Sequence, residues 1–258
     1  MNKLVMAPTC LPMTPPLEYV AAAAHGGFQA IGLRLHKSPV VPDWRSWLGD
    51  AALKRDVKAL IADRGLEVVD ILSFYLEPEM DLDGMLPAFE YGADLGARFV
   101  LVIGDDPVWD RMVQNFGRLC DAAAGFRLTA AIECPVRRLW PLPIALQLIA
   151  EANRPNAGAC IDPVNFLRAG DTVSDLRAAD PALFPYVQIN DGPNTPGKQC
   201  LRPGDGEVPL AAMLDVLPRD IELSVEYWQQ PGYDATAWAR KAYSDTVRWL
   251  EAYTAARV

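Results

Sequence analysis

Four oxygen-bearing side chains stand in the second half of the chain, each at or near the end of a short apolar run. They are Glu133 in "RLTAAIEC", Asp162 in "AGACIDP", Gln188 in "YVQIND" and Glu226 in "IELSVEY". An unpaired carboxylate is costly to bury, and carboxylates that lie together raise one another's pKa. A divalent cation would remove both costs, and oxygen ligands favour a hard ion. The pattern therefore predicts one divalent metal ion bound by the three carboxylates, with Gln188 as a neutral fourth ligand.

Three arginines offer another way to compensate these carboxylates. Arg34, Arg168 and Arg202 could each form an ion pair with one of them at the rim of the fold. The same arginines could instead bind a carboxylate or phosphate of a substrate through two parallel hydrogen bonds. His36, close behind Arg34, could contact that substrate or lie in a solvated loop. The metal site remains the favoured prediction because the acidic residues occur on successive strands.

Short apolar runs alternate with helical stretches along the whole chain. The predicted strands cover residues 3–8, 28–35, 67–76, 98–104, 127–134, 157–163, 186–191 and 221–227. Strands separated by helices indicate βαβ units and a parallel sheet. Eight such units, with a last helix at about 235–255, predict an α/β protein with a single (β/α)8 TIM barrel domain over residues 1–258. A doubly wound sheet is the alternative, but its first turn is normally glycine-rich, whereas "APTCLPMTPP" is rich in proline.

In such a barrel the active site lies at the carboxyl ends of the strands. Alternation along a strand places Thr129, Ala131 and Glu133 on one face, and it likewise aligns Asp162 and Glu226 with small residues before them. The polar strand ends are therefore expected to converge at one mouth of the barrel. The long irregular segment 191–209 follows the seventh strand, where a functional loop is expected.

Composition excludes several classes of function. The formal net charge of −9 argues against a nucleic-acid partner, which needs a basic surface. The cysteines at positions 10, 120, 134, 160 and 200 form no C-x-x-C pair, which favours reduced thiols. The start "MNKLVMAPTC" lacks the apolar segment of a signal peptide, and no run approaches the ~18 apolar residues of a membrane span. We expect a cytoplasmic protein that binds neither nucleic acid nor membrane.

The segments "IECP", "IDPVNFLRAG", "VQIND" and "LSVEYW" resemble the metal-site segments of the sugar phosphate isomerase/epimerase superfamily, whose members are xylose isomerase-like barrels. The resemblance extends over nearly the whole chain and implies one divalent ion (Mn, Mg, Zn or Co) on Glu133, Asp162 and Glu226. Gln188 replaces the usual histidine, as in the hydroxypyruvate isomerase branch. Asn165 stands where many members have histidine, and it is expected to bind substrate instead. Endonuclease IV-like activity is excluded because two histidines are too few for its trinuclear zinc site.

The resemblance also implies a reaction. Glu133 and Glu226 are the expected catalytic residues of an isomerase or epimerase that forms an enediolate from a small ketose or hydroxy-keto acid. A dehydratase of an inosose-like or dehydroshikimate-like cyclic ketone begins with the same proton abstraction, so it stays open. A barrel that binds a sugar acid without turnover is a second alternative. The expected partner is a small carbohydrate or polyol-derived molecule, and a homo-oligomer is left open.

Overall fold

Eight parallel strands form one curved sheet in the computed structural model, which describes residues 2–133 and 140–257. The strands are β1 (Leu4–Met6), β2 (Ala30–Arg34), β3 (Glu67–Leu76), β4 (Phe99–Gly104), β5 (Thr129–Glu133), β6 (Ala157–Ala159), β7 (Val187–Ile189) and β8 (Leu223–Val225). Each lies inside one predicted strand, and Cys134, the last residue of the fifth prediction, lies outside the described residues. The order β6-β5-β4-β3-β2-β1-β8-β7 leaves β6 and β7 at the two edges.

The two edge strands meet through the residues that follow β6. Ile161 forms a parallel bridge with Val187, and the Gln188 amide N–H donates to the Ile161 carbonyl at 2.9 Å. These contacts bring the ends of the curved sheet together. The prediction of a single (β/α)8 TIM barrel is thereby confirmed, and the doubly wound alternative is wrong.

Helices connect the strands on the outside of the sheet. They are α1 (Pro16–Gly26), α2 (Ala51–Asp63), α3 (Leu82–Asp94), α4 (Trp109–Ala124), α5 (Leu142–Ala152), α6 (Pro163–Arg168), α7 (Val173–Ala178), α8 (Leu210–Leu214) and α9 (Ala235–Ala255). Asp50, Asp81 and Asp234 begin α2, α3 and α9 by accepting hydrogen bonds from first-turn N–H groups, as N-cap residues do. Within 2–133 and 140–257, none of the helices combines the length and apolar character that crossing a bilayer requires.

The apolar core has two layers separated by the strands. The larger layer packs the outer face of the sheet against the helices. The smaller layer fills the barrel interior and includes Val5, Ala30, Leu101, Ala131 and Cys160. Ala131 therefore points inward as the alternation predicts, and Glu133 continues the same face toward the carboxyl end of β5. The interior becomes polar at that end, where the predicted site residues lie.

The segment 191–209 is an ordered loop built around Asp191. The Asp191 carboxylate accepts hydrogen bonds from the backbone N–H groups of Gly192 at 2.8 Å, Gly204 at 2.9 Å and Val208 at 3.0 Å. Asp191 also pairs with Leu201 in an antiparallel bridge. Burying one carboxylate under its own loop fixes the connection that leaves β7.

Candidate active site

The four predicted metal ligands all lie at the carboxyl ends of consecutive strands. Glu133 is the last residue of β5, and Asp162 follows β6 as the N-cap of α6. Gln188 is in β7, and Glu226 comes directly after β8. Glu133 and Asp162 are each 7% exposed and Gln188 is 2% exposed, whereas Glu226 is partly exposed. The four predicted ligands thus lie at the same end of the barrel, as the sequence pattern predicts, and their role as ligands stays a prediction.

Amide groups surround the carboxylates of β5 and β6. Glu133 Oε1 accepts from Asn165 Nδ2 at 3.1 Å, and its Oε2 accepts from Gln188 Nε2 at 3.2 Å. Asp162 Oδ1 accepts from the Asn165 backbone N–H at 2.7 Å, and its Oδ2 accepts from Asn190 Nδ2 at 2.7 Å. Neutral donors therefore satisfy both carboxylates, and Asn165 links the two.

Burial raises the pKa of each of the three carboxyl groups, and repulsion from neighbouring carboxylates adds to the increase for Glu133 and Glu226. Burial raises the pKa of Glu133 well above its usual range, and the charges of Glu226 and Asp162 add to the increase. Burial of the Glu226 carboxyl raises its pKa to about 8, with Asp162 as the next cause. Burial also raises the pKa of Asp162, while the bonds from Asn165 and Asn190 oppose the change. Each of the three groups therefore holds its proton to a higher pH than an exposed carboxyl group does.

Glu133 and Glu226 line one cavity of about 70 Å³ at the mouth of the barrel. The lining residues are Thr9, Arg34, Val40, Ser73, Tyr75, Leu101, Ile103, Asp105, Glu133 and Glu226. Arg34 is the only cationic side chain among these described lining residues. Strands β6 and β7 separate the strands that carry the two glutamates, so the carboxyl groups approach the cavity from different directions.

The donor set has the chemistry that a hard divalent ion requires. Two buried oxygens, Gln188 Oε1 and Glu226 Oε2, have no hydrogen-bond partner within residues 2–133 and 140–257. In that part of the chain, however, no three His, Cys, Asp or Glu side chains are grouped closely enough to hold an ion. The oxygens of Glu133 and Asp162 are instead directed at amide donors. The side chains fit a metal by type, and the metal site stays a prediction.

Two of the predicted substrate-binding residues lie at cavities. Arg34 ends β2, is 5% exposed and lines the cavity with the two glutamates. His36 lines a neighbouring cavity of about 520 Å³, which shares Tyr75 with the first. The His36 ring stacks on Phe74 with 5.2 Å between ring centroids, and burial lowers its pKa. His36 therefore lies beside the glutamate cavity, not in its wall.

The other three predicted substrate contacts have protein partners. Asn165 binds Glu133, as described above. Arg168 donates to the carbonyls of Pro193 at 3.2 Å and Lys198 at 3.0 Å, which fastens α6 to the long loop. Arg202 pairs with Asp205 at 2.6 Å and with Asp245 at 3.5 Å. Neither arginine is among the residues that line the glutamate cavity, so substrate contact stays a prediction for both.

Thr9 and Ser73 line the cavity but are absent from the predicted set. Thr9 lies in a short 3₁₀ helix, Pro8–Cys10, directly after β1. The rule that strand ends carry the site would have selected it. Ser73 lies two positions before Tyr75 on β3, and alternation along that strand would have indicated it.

The family model described as "Xylose isomerase-like TIM barrel" matches residues 20–253. The chain belongs to this family. The family match confirms the resemblance to sugar isomerase and epimerase barrels. No curated protein matches the sequence.

Solved structures of similar fold come from proteins with different names and low sequence identity. The IOLI protein, described with a bound zinc atom, has a TM-score of 0.77 at 20% identity and covers 97% of this chain and 99% of its own. D-allulose 3-epimerase from Methylomonas sp. has a TM-score of 0.71 at 17% identity, with 98% and 97% covered. The probable 3-DHS dehydratase AsbF from Bacillus anthracis has a TM-score of 0.70 at 14% identity, with 95% and 98% covered. At these identities, the likeness establishes the xylose isomerase-like fold.

Proposed function

We propose that the chain is a divalent-metal-dependent isomerase or epimerase that moves a proton at carbon in a small ketose or hydroxy-keto acid. The observation that carries the proposal is that Glu133 and Glu226 line the same cavity, with the pKa of both groups raised. A carboxyl group whose pKa is raised above its usual range can both accept and return a proton more readily at neutral pH. Two such groups on different strands could serve two positions of one substrate.

The two glutamates differ in how firmly they are held. Asn165 and Gln188 each donate to one oxygen of Glu133, which fixes the orientation of that carboxylate. Glu226 Oε2 is buried without a hydrogen-bond partner among the described residues, so this oxygen is available to a proton of the substrate. In epimerisation one glutamate removes the proton and the other returns it. In isomerisation a single glutamate moves the proton between neighbouring carbons.

The metal ion would be held by Glu133, Asp162, Gln188 and Glu226. When bound, a divalent ion such as Mn²⁺, Mg²⁺, Zn²⁺ or Co²⁺ stabilises the negative charge that develops on the substrate oxygens after proton removal. The two unpartnered oxygens on Gln188 and Glu226 support this assignment. The zinc atom described for the IOLI protein supports it from a protein of the same fold.

A dehydratase is the second candidate. The fold is shared with the probable 3-DHS dehydratase AsbF, and loss of a β-hydroxyl begins with the same proton abstraction. A barrel that binds a sugar acid without turnover is the third candidate, because Gln188 is a weaker metal ligand than histidine. The net charge of −9 supports a small carbohydrate or polyol-derived substrate over a nucleic acid. A cytoplasmic location remains our expectation.

The proposal is tested by metal content and proton exchange. Elemental analysis of freshly purified protein should give about one equivalent of divalent metal, and Glu133→Gln should lose it. The metal-loaded protein is then incubated in D₂O with ketoses, hydroxy-keto acids and cyclic ketones, and products are followed by NMR. Glu207→Gln, on the exposed part of the long loop, is the control variant.

Each result separates the candidates. Solvent deuterium at carbon with retention of all oxygens indicates an isomerase or epimerase, and loss of water indicates a dehydratase. Glu133→Gln and Glu226→Gln should abolish either reaction while Glu207→Gln retains it. Full turnover in either active-site variant, or no metal after incubation with excess of each ion, would contradict the proposal. Binding without exchange would favour the sugar-acid-binding barrel.

A further inference from the structure

Arg34 is a buried cation beside the two glutamates. Its side chain lines the glutamate cavity, and the residue is 5% exposed. Within residues 2–133 and 140–257, none of its three guanidinium nitrogens has a hydrogen-bond partner. A guanidinium group carries five N–H donors, and leaving buried charged donors unsatisfied is costly. The site therefore lacks an acceptor that a ligand could supply.

Several acceptors around the cavity already have partners other than Arg34. Both oxygens of Glu133 accept from the side-chain amides of Asn165 and Gln188. The Tyr75 hydroxyl pairs with Ser38 Oγ at 3.1 Å. The charge of Glu226 acts on Arg34, but the two side chains are not hydrogen-bonded. Arg34 therefore lies close enough to Glu226 to feel its charge, but its guanidinium nitrogens form no hydrogen bond within the described residues.

We infer that Arg34 binds a carboxylate of the substrate, which makes the substrate a hydroxy-keto acid or sugar acid rather than a neutral ketose. This inference rests on the proposed function for the reaction at the two glutamates. The planar guanidinium fork matches the two oxygens of a carboxylate, and such paired charged hydrogen bonds are strong. One guanidinium balances the single charge of a carboxylate. A phosphate would bring additional negative charge beside Glu133 and Glu226.

The positions of the cavities fit such a substrate. Arg34 and the two glutamates share the smaller cavity of about 70 Å³, so an acid anchored on Arg34 keeps its neighbouring carbons near both carboxyl groups. The larger cavity of about 520 Å³ shares Tyr75 and is lined by polar residues such as Lys37, Ser38 and Glu77. This adjacent polar space can take a hydroxylated chain.

The test compares acids with polyols of the same length. Threonate with threitol, xylonate with xylitol, and gluconate with glucitol differ by a carboxylate in place of a hydroxymethyl group. Calorimetric titration with and without saturating Mg²⁺ should show the acids binding at least about tenfold more tightly than their polyols. Arg34→Lys keeps the charge but lacks the fork, and it should remove most of this preference by weakening the binding of the acids. Arg154→Lys, at an arginine paired with Asp121 at 2.6 Å, is the matched control and should keep the preference.

The wild-type comparison needs no variant, so misfolding of Arg34→Lys would not prevent the test. Equal binding of acids and polyols, or no binding of any acid, would overturn the inference. Tighter binding of inorganic phosphate than of every acid would overturn it as well. Acids that bind selectively but never exchange a proton would leave the Arg34 assignment standing and contradict the proposed function. Turnover of neutral ketoses without any preference for acids would contradict the Arg34 assignment alone.

Discussion

Asn165 Nδ2 donates a hydrogen bond to Glu133 Oε1 at 3.1 Å and so joins the first turn of α6 to the end of β5. The backbone N–H of the same residue donates to the N-cap carboxylate of Asp162. Asn165 therefore positions two carboxylates. Contact between Asn165 and substrate, which the sequence led us to expect, stays a prediction. Its amide also stabilises the ionised form of Glu133, because a donor to a carboxylate lowers its pKa.

Replacing Asn165 with alanine should raise the pKa of Glu133 further, because the ionised form loses a donor. If Glu133 acts as the base, the acid limb of kcat/KM moves to higher pH in step with that pKa. Titration of ¹³C-labelled glutamate side chains by NMR measures the change without turnover. Asn2→Ala is the control, since its side-chain amide binds the carbonyls of Arg219 and Ile221 instead. An unchanged Glu133 titration in a folded Asn165→Ala protein would contradict this prediction.

Replacing Gln188 with histidine should tighten Zn²⁺ binding by on the order of tenfold, because imidazole is a better zinc ligand than an amide oxygen. Gln188 Oε1 is buried and has no hydrogen-bond partner within the described residues, so a bound ion would satisfy an oxygen that is otherwise unpaired. Zn²⁺ affinity is measured by competition with a chromogenic chelator. Gln188→Leu removes the ligand and should bind more weakly than wild type. Equal affinities of the histidine and leucine variants would show that this side chain does not meet the metal.

Asp70 should make the stability of the protein depend on pH. It lies inside the barrel on β3, where Tyr186 Oη donates to its Oδ2 at 3.1 Å and burial raises its pKa from 3.8 to about 7. The folded state then holds a proton that the unfolded state has lost between these two values. The contribution of Asp70 to the free energy of unfolding consequently falls as the pH rises through this interval, and it is constant above it.

Asp70→Asn removes this titration. The variant should gain about 2 to 3 kcal/mol relative to wild type when the pH is changed from 5 to 8. Urea denaturation at both pH values measures the difference in the free energy of unfolding. Asp220→Asn, at an exposed position, should show no comparable change. The same pH dependence in wild type and Asp70→Asn would assign the titration to another group.

Much of the architecture follows from local patterns in the sequence. Apolar runs separated by helical segments predict the eight strands, since each run must be buried between the barrel interior and the helices. Side chains two positions apart on a β-strand point to the same face, so Glu133 shares the inward face of Ala131 on β5. Fold class and the end of the barrel that carries the site are therefore accessible without a structure.

Local sequence patterns do not predict the hydrogen-bond and ion-pair partners of individual side chains. Arg202 meets Asp245 because α9 packs beside the loop that carries Arg202, a contact between segments distant in the chain. Arg168 donates to two loop carbonyls whose positions depend on the folded course of 191–209. The bond from Asn165 to Glu133 depends on the direction in which α6 leaves β6. Such contacts are set by tertiary packing, and residue type alone does not predict them.

Gly206 allows the long loop to close on Asp191. A Cβ atom at this position would lie 2.2 Å from the Gly192 nitrogen and 2.3 Å from Asp191 Oδ1, far inside contact distance. Gly206→Ala should therefore lower the free energy of unfolding by about 1 to 3 kcal/mol, because the backbone must shift and the bonds from Gly192 and Val208 to Asp191 weaken. Gly49→Ala, where a Cβ meets no atom within 4 Å of the described chain, is the control.

Hydrogen exchange locates the effect of Gly206→Ala. The amides of Gly192, Gly204 and Val208 should lose protection first, since each donates to the carboxylate that the new methyl group displaces. Because the loop leaves β7 directly after Asn190, loosening it should also weaken the Asn190 bond to Asp162. Metal and ligand affinity are then expected to fall together with loop protection. Unchanged protection of these three amides in the variant would show that the loop does not depend on the close approach of Gly206.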